Sequence, residues 1–495
     1  MITSIPIFLF IALPWLNPFA PAPTPAAMPL LFSWACAALL LGVWRRGPDR
    51  LRAGRWMPAI AWAWLAAGLL SSGIGLCQYF GAAGHFSPWM NQTEVGEAFA
   101  NLRQRNQFAT LTSLSLAALL WLAATGRFAG RSQWLTWVAA GLLAAGNAAS
   151  SSRTGLLQLG LLCALFGIWG GWRQPVLRRV LVAAVGAYVL ATLALPWLAG
   201  LDLSAQGMLA RLHAGDPLCA SRLTLWSNVL HLIAQKPWLG WGWGELGYAH
   251  YITRYDGPRF CEILDNAHNL PLHLAVELGV PAALLLCGAF IWWVWRQRPW
   301  SEMDSSRQLA WGVLALIGLH SLLEYPLWYG PFQMAVGLCV LMLRRGNNMD
   351  SGQEFKQNRP LAHTLRVHIA IVLIAITGYA MWDYHRISQI YRAPEVRAAA
   401  YRDDTLAKIR NSWLFANQVR FAELSITPLT QANAQWTFDT ARALLHYSPE
   451  PRVIEKLIES AVMLGRDDEA LFYLARYRAA FPKDHAQWAK AHTVG

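Results

Sequence analysis

Along most of its length the chain alternates apolar stretches with short polar turns. A helix crossing a bilayer needs roughly 20 apolar residues, and stretches of about that length fall at 4–20, 27–44, 57–80, 107–125, 134–150, 154–171, 180–200, 270–295, 309–323, 330–343 and 367–383. The pattern predicts an all-α polytopic membrane protein of about eleven transmembrane helices. Two segments depart from it: a long polar excursion over 201–268 and a tail from 384 to 495. The expected domains are therefore a membrane domain, 1–383, carrying the loop 201–268, and a separate C-terminal helical domain, 384–495.

Composition agrees, since 55% of residues are hydrophobic and only 14% charged, against roughly a quarter charged in a typical soluble protein. The net charge of +13 raises the question of a nucleic-acid partner, which its distribution answers. Arg45, Arg46, Arg50, Arg52 and Arg55 share one turn, Arg127 and Arg131 a second, and Arg173, Arg178 and Arg179 a third. Arg296, Arg298 and Arg307 follow, then Arg344, Arg345, Lys356, Arg359 and Arg366, with only Asp49, Glu302, Asp304, Asp350 and Glu354 against them. These are alternate connections, so by the positive-inside rule they face the cytoplasm. The excess charge is topological, with membrane lipid as its partner and no nucleic acid. The other connections (81–106, the corner at Ser150–Arg153, 201–268, 324–329 and the tail) are expected to face outward. No basic residue precedes Arg45, unlike a cleaved signal peptide with its positively charged start, so the first stretch is expected to be retained.

In the tail, 453–464 and 466–477 carry helical apolar spacing around Gly465. Pro449 and Pro482 bracket this pair 33 residues apart, close to the tetratricopeptide period of about 34, which predicts a small tetratricopeptide-like helical domain. The acidic pairs Asp403-Asp404 and Asp467-Asp468 are expected in early helical turns, where the helix dipole favours them. Cys36, Cys77, Cys163, Cys287 and Cys339 lie in apolar stretches, whereas Cys219 and Cys261 both lie in the excursion; no Cys/His spacing suits a zinc site.

Chemistry-bearing residues collect at the outward ends. Arg153, in Ser152-Arg153-Thr154-Gly155, reads either as an arginine snorkelling to lipid or paired with a carboxylate such as Glu277, or as a phosphate clamp suited to its planar charged fork. Arg222, in Ser221-Arg222-Leu223, and the neighbours Arg103 and Arg105 are the other outward arginines beside helix ends, and the four together are expected to form a site for a lipid-linked diphosphate. His268 precedes Pro271, which suits a first helical turn. His273 and Glu277 are four residues apart and share a helix face. Glu277 reads as a functional group or as half of a buried ion pair. A histidine at the water boundary, with its near-neutral pKa, can take a proton from an attacking hydroxyl.

Ala267-His268-Asn269-Leu270 through Glu277-Leu278-Gly279-Val280-Pro281 resembles the signature of the O-antigen ligase and polymerase superfamily, as do Ser152-Arg153-Thr154-Gly155 and Pro237-Trp238-Leu239-Gly240-Trp241-Gly242-Trp243-Gly244. His320-Ser321-Leu322-Leu323-Glu324-Tyr325-Pro326 is more specific and resembles the bacterial O-linked protein oligosaccharyltransferases of the PglL/PilO type; His320, Glu324 and Tyr325 enter as supporting residues on that ground. The resemblance covers roughly residues 90–345. It implies a metal-independent glycosyltransferase without cofactor, moving an oligosaccharide from undecaprenyl diphosphate to Ser or Thr hydroxyls of pilin or other acceptor proteins at the periplasmic face of a Gram-negative inner membrane. By the same resemblance His268 assists the acceptor, while Arg153 and Arg222 hold the diphosphate. In an oxidising periplasm Cys219 and Cys261 are expected to form a disulfide.

Within the superfamily the alternatives are an O-antigen ligase acting on lipid A-core and a polymerase. In another class stands a transporter of lipid-linked sugar, which would show paired broken helices; only one strong break, near Pro326, is visible. Helical-repeat surfaces bind extended polypeptide, so the tail is expected to serve the acceptor, and truncation after about Arg386 to impair transfer to protein more than donor binding.

Overall fold

The computed structural model describes residues 4–43, 50–128, 130–202, 207–214, 217–350 and 359–493. Arg45, Arg46, Asp49, Glu354 and Lys356 lie outside the described residues. The chain is all-helical among the described residues. In order come α1 (Ser4–Leu16), α2 (Ala27–Val43), α3 (Arg50–Tyr79), α4 (Arg105–Ala124), α5 (Gln133–Ala149), α6 (Arg153–Ile168) and α7 (Pro175–Leu198). The excursion contributes α8 (Gly207–Ala214), α9 (Arg222–Gln235) and α10 (Leu246–Ile252). Then follow α11 (Leu270–Leu278), α12 (Val280–Gln297), α13 (Ser305–Ser321), α14 (Gly330–Asp350) and α15 (Arg359–Ser388). The tail is α16 (Thr405–Ile409), α17 (Ala416–Ile426), α18 (Ala434–Leu444), α19 (Pro451–Met463), α20 (Asp467–Ala480) and α21 (Pro482–Thr493).

Among the described residues five segments are long and apolar enough to cross a membrane: Trp56–Tyr79, Arg105–Ala124, Pro175–Leu198, Val280–Ser301 and Thr364–Tyr391. Helices occupy the other expected span positions too, but several are shorter, such as Ile5–Leu16 and Arg153–Ile168. One expected span is corrected. The apolar run 270–295 is two helices, broken where Gly279 takes φ +90°. A Cβ there would meet the Trp238 carbonyl oxygen at 2.1 Å, and one on Gly240 would meet the backbone of Glu277 at 2.4 Å. Two backbones pass in contact, which only glycine permits. His273 and Glu277 therefore belong to a short helix, α11, that precedes α12. Gly279→Ala is expected to cost about 2 kcal/mol or more, read as a lower unfolding temperature in detergent; an unchanged temperature would mean that the break is not required.

By contacts the chain divides into two compact units, Met1–Ala214 with Val294–Met381, and Gly215–Trp293 with Trp382–Gly495. In the first, α4 is the central helix. It packs against α3, α5, α6 and α13, and every residue from Gln107 to Ala123 is buried. Its hydroxyls find helical partners, as where Ser115 donates to the Trp64 carbonyl at 2.6 Å.

The second unit joins the excursion to the tail, so the boundary expected near 383 does not separate a free-standing helical domain. One core forms from Leu225, Val229 and Leu232 of α9, Leu246 and Ala249 of α10, and Ala275 and Val276 of α11. Another gathers Phe438, Leu457, Ile458 and Tyr477 of the tail around Tyr251 of α10. In α19 the buried positions Val453, Ile454, Leu457, Ile458 and Ala461 follow the helical stripe read from sequence. Cys219 and Cys261 are disulfide-bonded with Cα atoms 5.2 Å apart. Asp467, Asp468 and Glu469 fill the first turn of α20, as the dipole argument expects. Asp403 and Asp404 do not, because Asp404 takes φ +46° just before the short α16. The tail begins on a buried ion pair: Arg386 reaches Asp383 at 2.7 Å, Ser412 donates to the same carboxylate at 2.7 Å, and Arg386 also reaches Asn411.

Candidate functional site

His268 lies in the second unit, just before α11. Its backbone takes φ +50°, a left-handed conformation uncommon outside glycine and asparagine. Local bonds hold it there. Its N–H donates to Asn266 Oδ1 at 2.9 Å, and Asn269 caps α11 by accepting the Leu272 N–H. The Trp226 indole donates to the Ala267 carbonyl at 3.1 Å. Trp226 stands one turn after Arg222 on α9, so the two share a face, and Arg222 belongs to the helix that buttresses the His268 segment.

Behind His268, within α11, His273 and Glu277 are both buried, with Nε2 to Oε2 3.4 Å apart. His273 Nδ1 accepts the Ala267 N–H at 3.4 Å, so its proton sits on Nε2 and points at Glu277. Burial, with the His268 ring nearby, holds the His273 imidazole down at about 4. Burial raises the Glu277 carboxyl to about 7, against the lowering effect of the Gly244 N–H that it accepts. Near neutral pH this is a hydrogen-bonded pair with a neutral imidazole and not a full ion pair. Glu277 thus finds its partner on its own helix. The Trp–Gly segment wraps the same end of α11: Trp241 N–H donates to Val276 O at 2.9 Å, Gly242 N–H to Glu277 O at 3.0 Å, and the Trp243 ring meets His273 edge-on at 6.2 Å.

That segment leads into α10, which rests on the tail. Glu245 and His446 are 2.7 Å apart, Tyr248 stacks on His446, Tyr251 donates to the Tyr473 carbonyl, and Arg476 donates to the Ile252 carbonyl at 2.8 Å. On the other side His250, held down at about 3 chiefly by burial, contacts Tyr255 and the Phe260 carbonyl. His250 is a structural pin.

The first unit holds the remaining candidates. Arg153 opens α6, where Ser152 caps the helix by accepting the Gly155 N–H. The Arg153 guanidinium donates to the Arg211 carbonyl, and Arg211 in return donates to the Ser151 carbonyl at 3.0 Å. Ser151 also takes φ +49°. A cavity of about 270 Å³ is lined by Arg105, Arg211, Glu94, Glu97, Ser150 and Ser151, among others. Arg105 pairs with Glu97 at 3.0 Å, while Arg103, at φ +61°, donates to the Pro18 carbonyl and to Asn91. Arg103 and Arg105 thus already brace the 81–106 connection.

His320 and Glu324 belong to a buried network. His320 Nδ1 lies 2.9 Å from the Thr110 hydroxyl, which donates to the Asn106 carbonyl and accepts from Gln158. With its proton so used, the hydroxyl accepts from His320, fixing the Nδ1–H tautomer. Asn106 donates to Glu324 at 3.3 Å and accepts from Ser152 at 2.6 Å. The segment after α13 is thereby tied to the start of α6, and His320 supports the Ser152-Arg153 turn from inside the bundle. Tyr325 stacks on Tyr329 with ring centres 5.9 Å apart. Sequence reasoning missed Arg211, although it is an outward arginine in the excursion like those singled out. It also missed Asn106, Thr110 and Gln158, polar residues inside apolar helices whose position was itself the signal.

Three family models match the chain. The O-antigen ligase model covers 138–287, which includes Arg153 and His268. The protein glycosylation ligase model covers 98–123, and the virulence factor membrane-bound polymerase, C-terminal model covers 308–494. Two curated proteins of Acinetobacter baylyi are similar. A general O-oligosaccharyltransferase is 27% identical over 329 residues, 62% of this chain and 55% of the relative. A ComP-specific O-oligosaccharyltransferase is 27% identical over 248 residues, 49% of this chain and 43% of the relative. The chain spans about half the length of these relatives. The resemblance carried by the His268 and Arg153 motifs is therefore found independently by comparison.

Proposed function

We propose that this protein is a glycosyltransferase that moves an oligosaccharide from undecaprenyl diphosphate to Ser or Thr hydroxyls of extracytoplasmic proteins. The observation that carries this reading is the similarity to two O-oligosaccharyltransferases together with a histidine held in a strained, locally bonded turn within the matched ligase region. In the step proposed, the acceptor oxygen attacks the anomeric carbon, the bond from that carbon to the diphosphate breaks, and His268 takes the hydroxyl proton. Undecaprenyl diphosphate leaves with its charge opposed by Arg222 and Arg153. His273 orients the His268 segment through the Ala267 N–H, and Glu277 fixes the His273 tautomer. Purified protein, lipid-linked glycan and an acceptor protein test the reading: a new Ser- or Thr-linked glycan supports it, and hydrolysis or transport without transfer rejects it.

The O-antigen ligase model match favours one second reading, transfer to lipid A-core, because a sugar hydroxyl is the same nucleophile. The finer topology belongs to this proposal as well: eleven spans, a Gram-negative inner membrane, a periplasmic loop and a periplasmic, tetratricopeptide-like tail. Reporters fused after Arg131, Arg179 and Arg307 are expected in the cytoplasm, and fusions within 217–268 or at the C-terminus outside; a cytoplasmic C-terminus would overturn the eleven-span arrangement.

Arg153→Ala and Arg222→Ala are expected to raise KM for the lipid-linked donor about tenfold to a hundredfold, the worth of one charged hydrogen bond. Lysine should restore little, because it lacks the planar fork, and EDTA should leave the wild-type rate unchanged. Unchanged KM in both alanine variants would remove the arginines from donor binding.

A further inference from the structure

In the Pro237–Gly244 segment Trp241 packs inward, its indole donating to the Leu232 carbonyl at 3.0 Å, and Trp243 meets His273, but Trp238 and Leu239 face away from the core. Trp238 is 76% exposed and Leu239 85%. The backbone that carries them is held against the start of α12. The Val280 N–H donates to the Pro237 carbonyl at 2.8 Å, and the Trp238 carbonyl packs against Gly279. Val280 is the first residue of a segment long and apolar enough to cross a membrane, and Leu284, Leu285, Phe290 and Ile291 along that helix are exposed as a lipid-facing surface requires. Trp238 and Leu239 therefore stand beside the first turn of a crossing helix, the level of the membrane–water interface. Tryptophan is favoured at that level. The Lys236 ammonium lies 4.0 Å from the centre of the Trp241 ring, which puts a cation next to the same segment, as phospholipid phosphates would favour.

We propose that Trp238 and Leu239 insert into the headgroup region of the leaflet that α12 enters at Val280, with phospholipid as the occupant of this face. The inference stands without the functional reading above. If that reading also holds, the insertion sets the depth of the His268–Glu277 segment, to which the same strand is bonded, at the level where a lipid-linked diphosphate lies.

The test uses the full-length protein in phosphatidylcholine–phosphatidylglycerol nanodiscs, carrying Leu239→Cys labelled with a bimane fluorophore. The unsubstituted protein, with its five free thiols, gives the labelling background. A phospholipid with a nitroxide near its headgroup is expected to lower the emission by roughly twofold or more, as for an interfacial side chain, while aqueous iodide has little effect. Quenching by iodide and not by the nitroxide lipid would place the segment in water and overturn the proposal. Quenching by neither would mean that protein covers the face, and would overturn it equally. Trp238→Cys provides a second label position should Leu239→Cys fail to incorporate.

Discussion

His268→Ala is expected to lower glycan transfer by about 10²- to 10⁴-fold, the range for loss of a general base, with protein level in the membrane and thermal unfolding unchanged. The selectivity follows from how the residue is held. Its turn is fixed by Asn266, Asn269 and Trp226 acting on backbone groups, so removing the imidazole leaves those bonds in place. His273, one turn further on, behaves differently, because its ring nitrogen accepts the Ala267 N–H inside the protein. Its alanine variant is expected to lose stability as well as activity. A single-turnover assay beside a melting curve separates the two, and wild-type turnover in His268→Ala would remove the base from the mechanism.

Truncation after Arg386 is expected to abolish transfer altogether, and this revises the expectation drawn from sequence. There the tail was an acceptor-binding appendage whose loss would spare donor binding. In the structure it completes the unit that contains His268. Truncation strips Asn411 and Ser412 from the Asp383–Arg386 pair, leaves Tyr251 without its core, and frees Glu245 from His446. Glu245 adjoins Gly244, whose N–H is bonded to Glu277. Limited proteolysis is therefore expected to cut the truncated protein within 217–268, where the full chain resists. A truncated protein that kept a resistant loop and still bound lipid-linked glycan would restore the appendage view.

Much of this molecule was legible because its signals are local. Apolar length places the helices, the stripe Val453, Ile454, Leu457, Ile458 and Ala461 announces α19, and Pro271 marks the start of α11, though not the left-handed turn at His268. What was hidden depends on contacts between distant segments. Gly279 looks like one small residue in an apolar run, and only the approach of the Trp238 backbone makes it a helix break. The tail's dependence on α10 rests on Tyr251, Tyr248 and Glu245 meeting residues about 200 positions later, which no periodicity reveals. His320 carried family resemblance, but its placement beneath the Ser152-Arg153 turn came from Thr110, read in sequence only as part of an apolar helix, and Asn106, read as the end of the 81–106 connection.

The central claim is that a protein hydroxyl receives the glycan. Intact-mass and glycopeptide analysis of extracytoplasmic proteins, from cells with and without this chain, tests it most directly. The account predicts proteins heavier by one oligosaccharide at Ser or Thr that become unmodified when the chain is absent or carries His268→Ala. Unchanged glycoproteins, with loss confined to the lipopolysaccharide ladder, would contradict it.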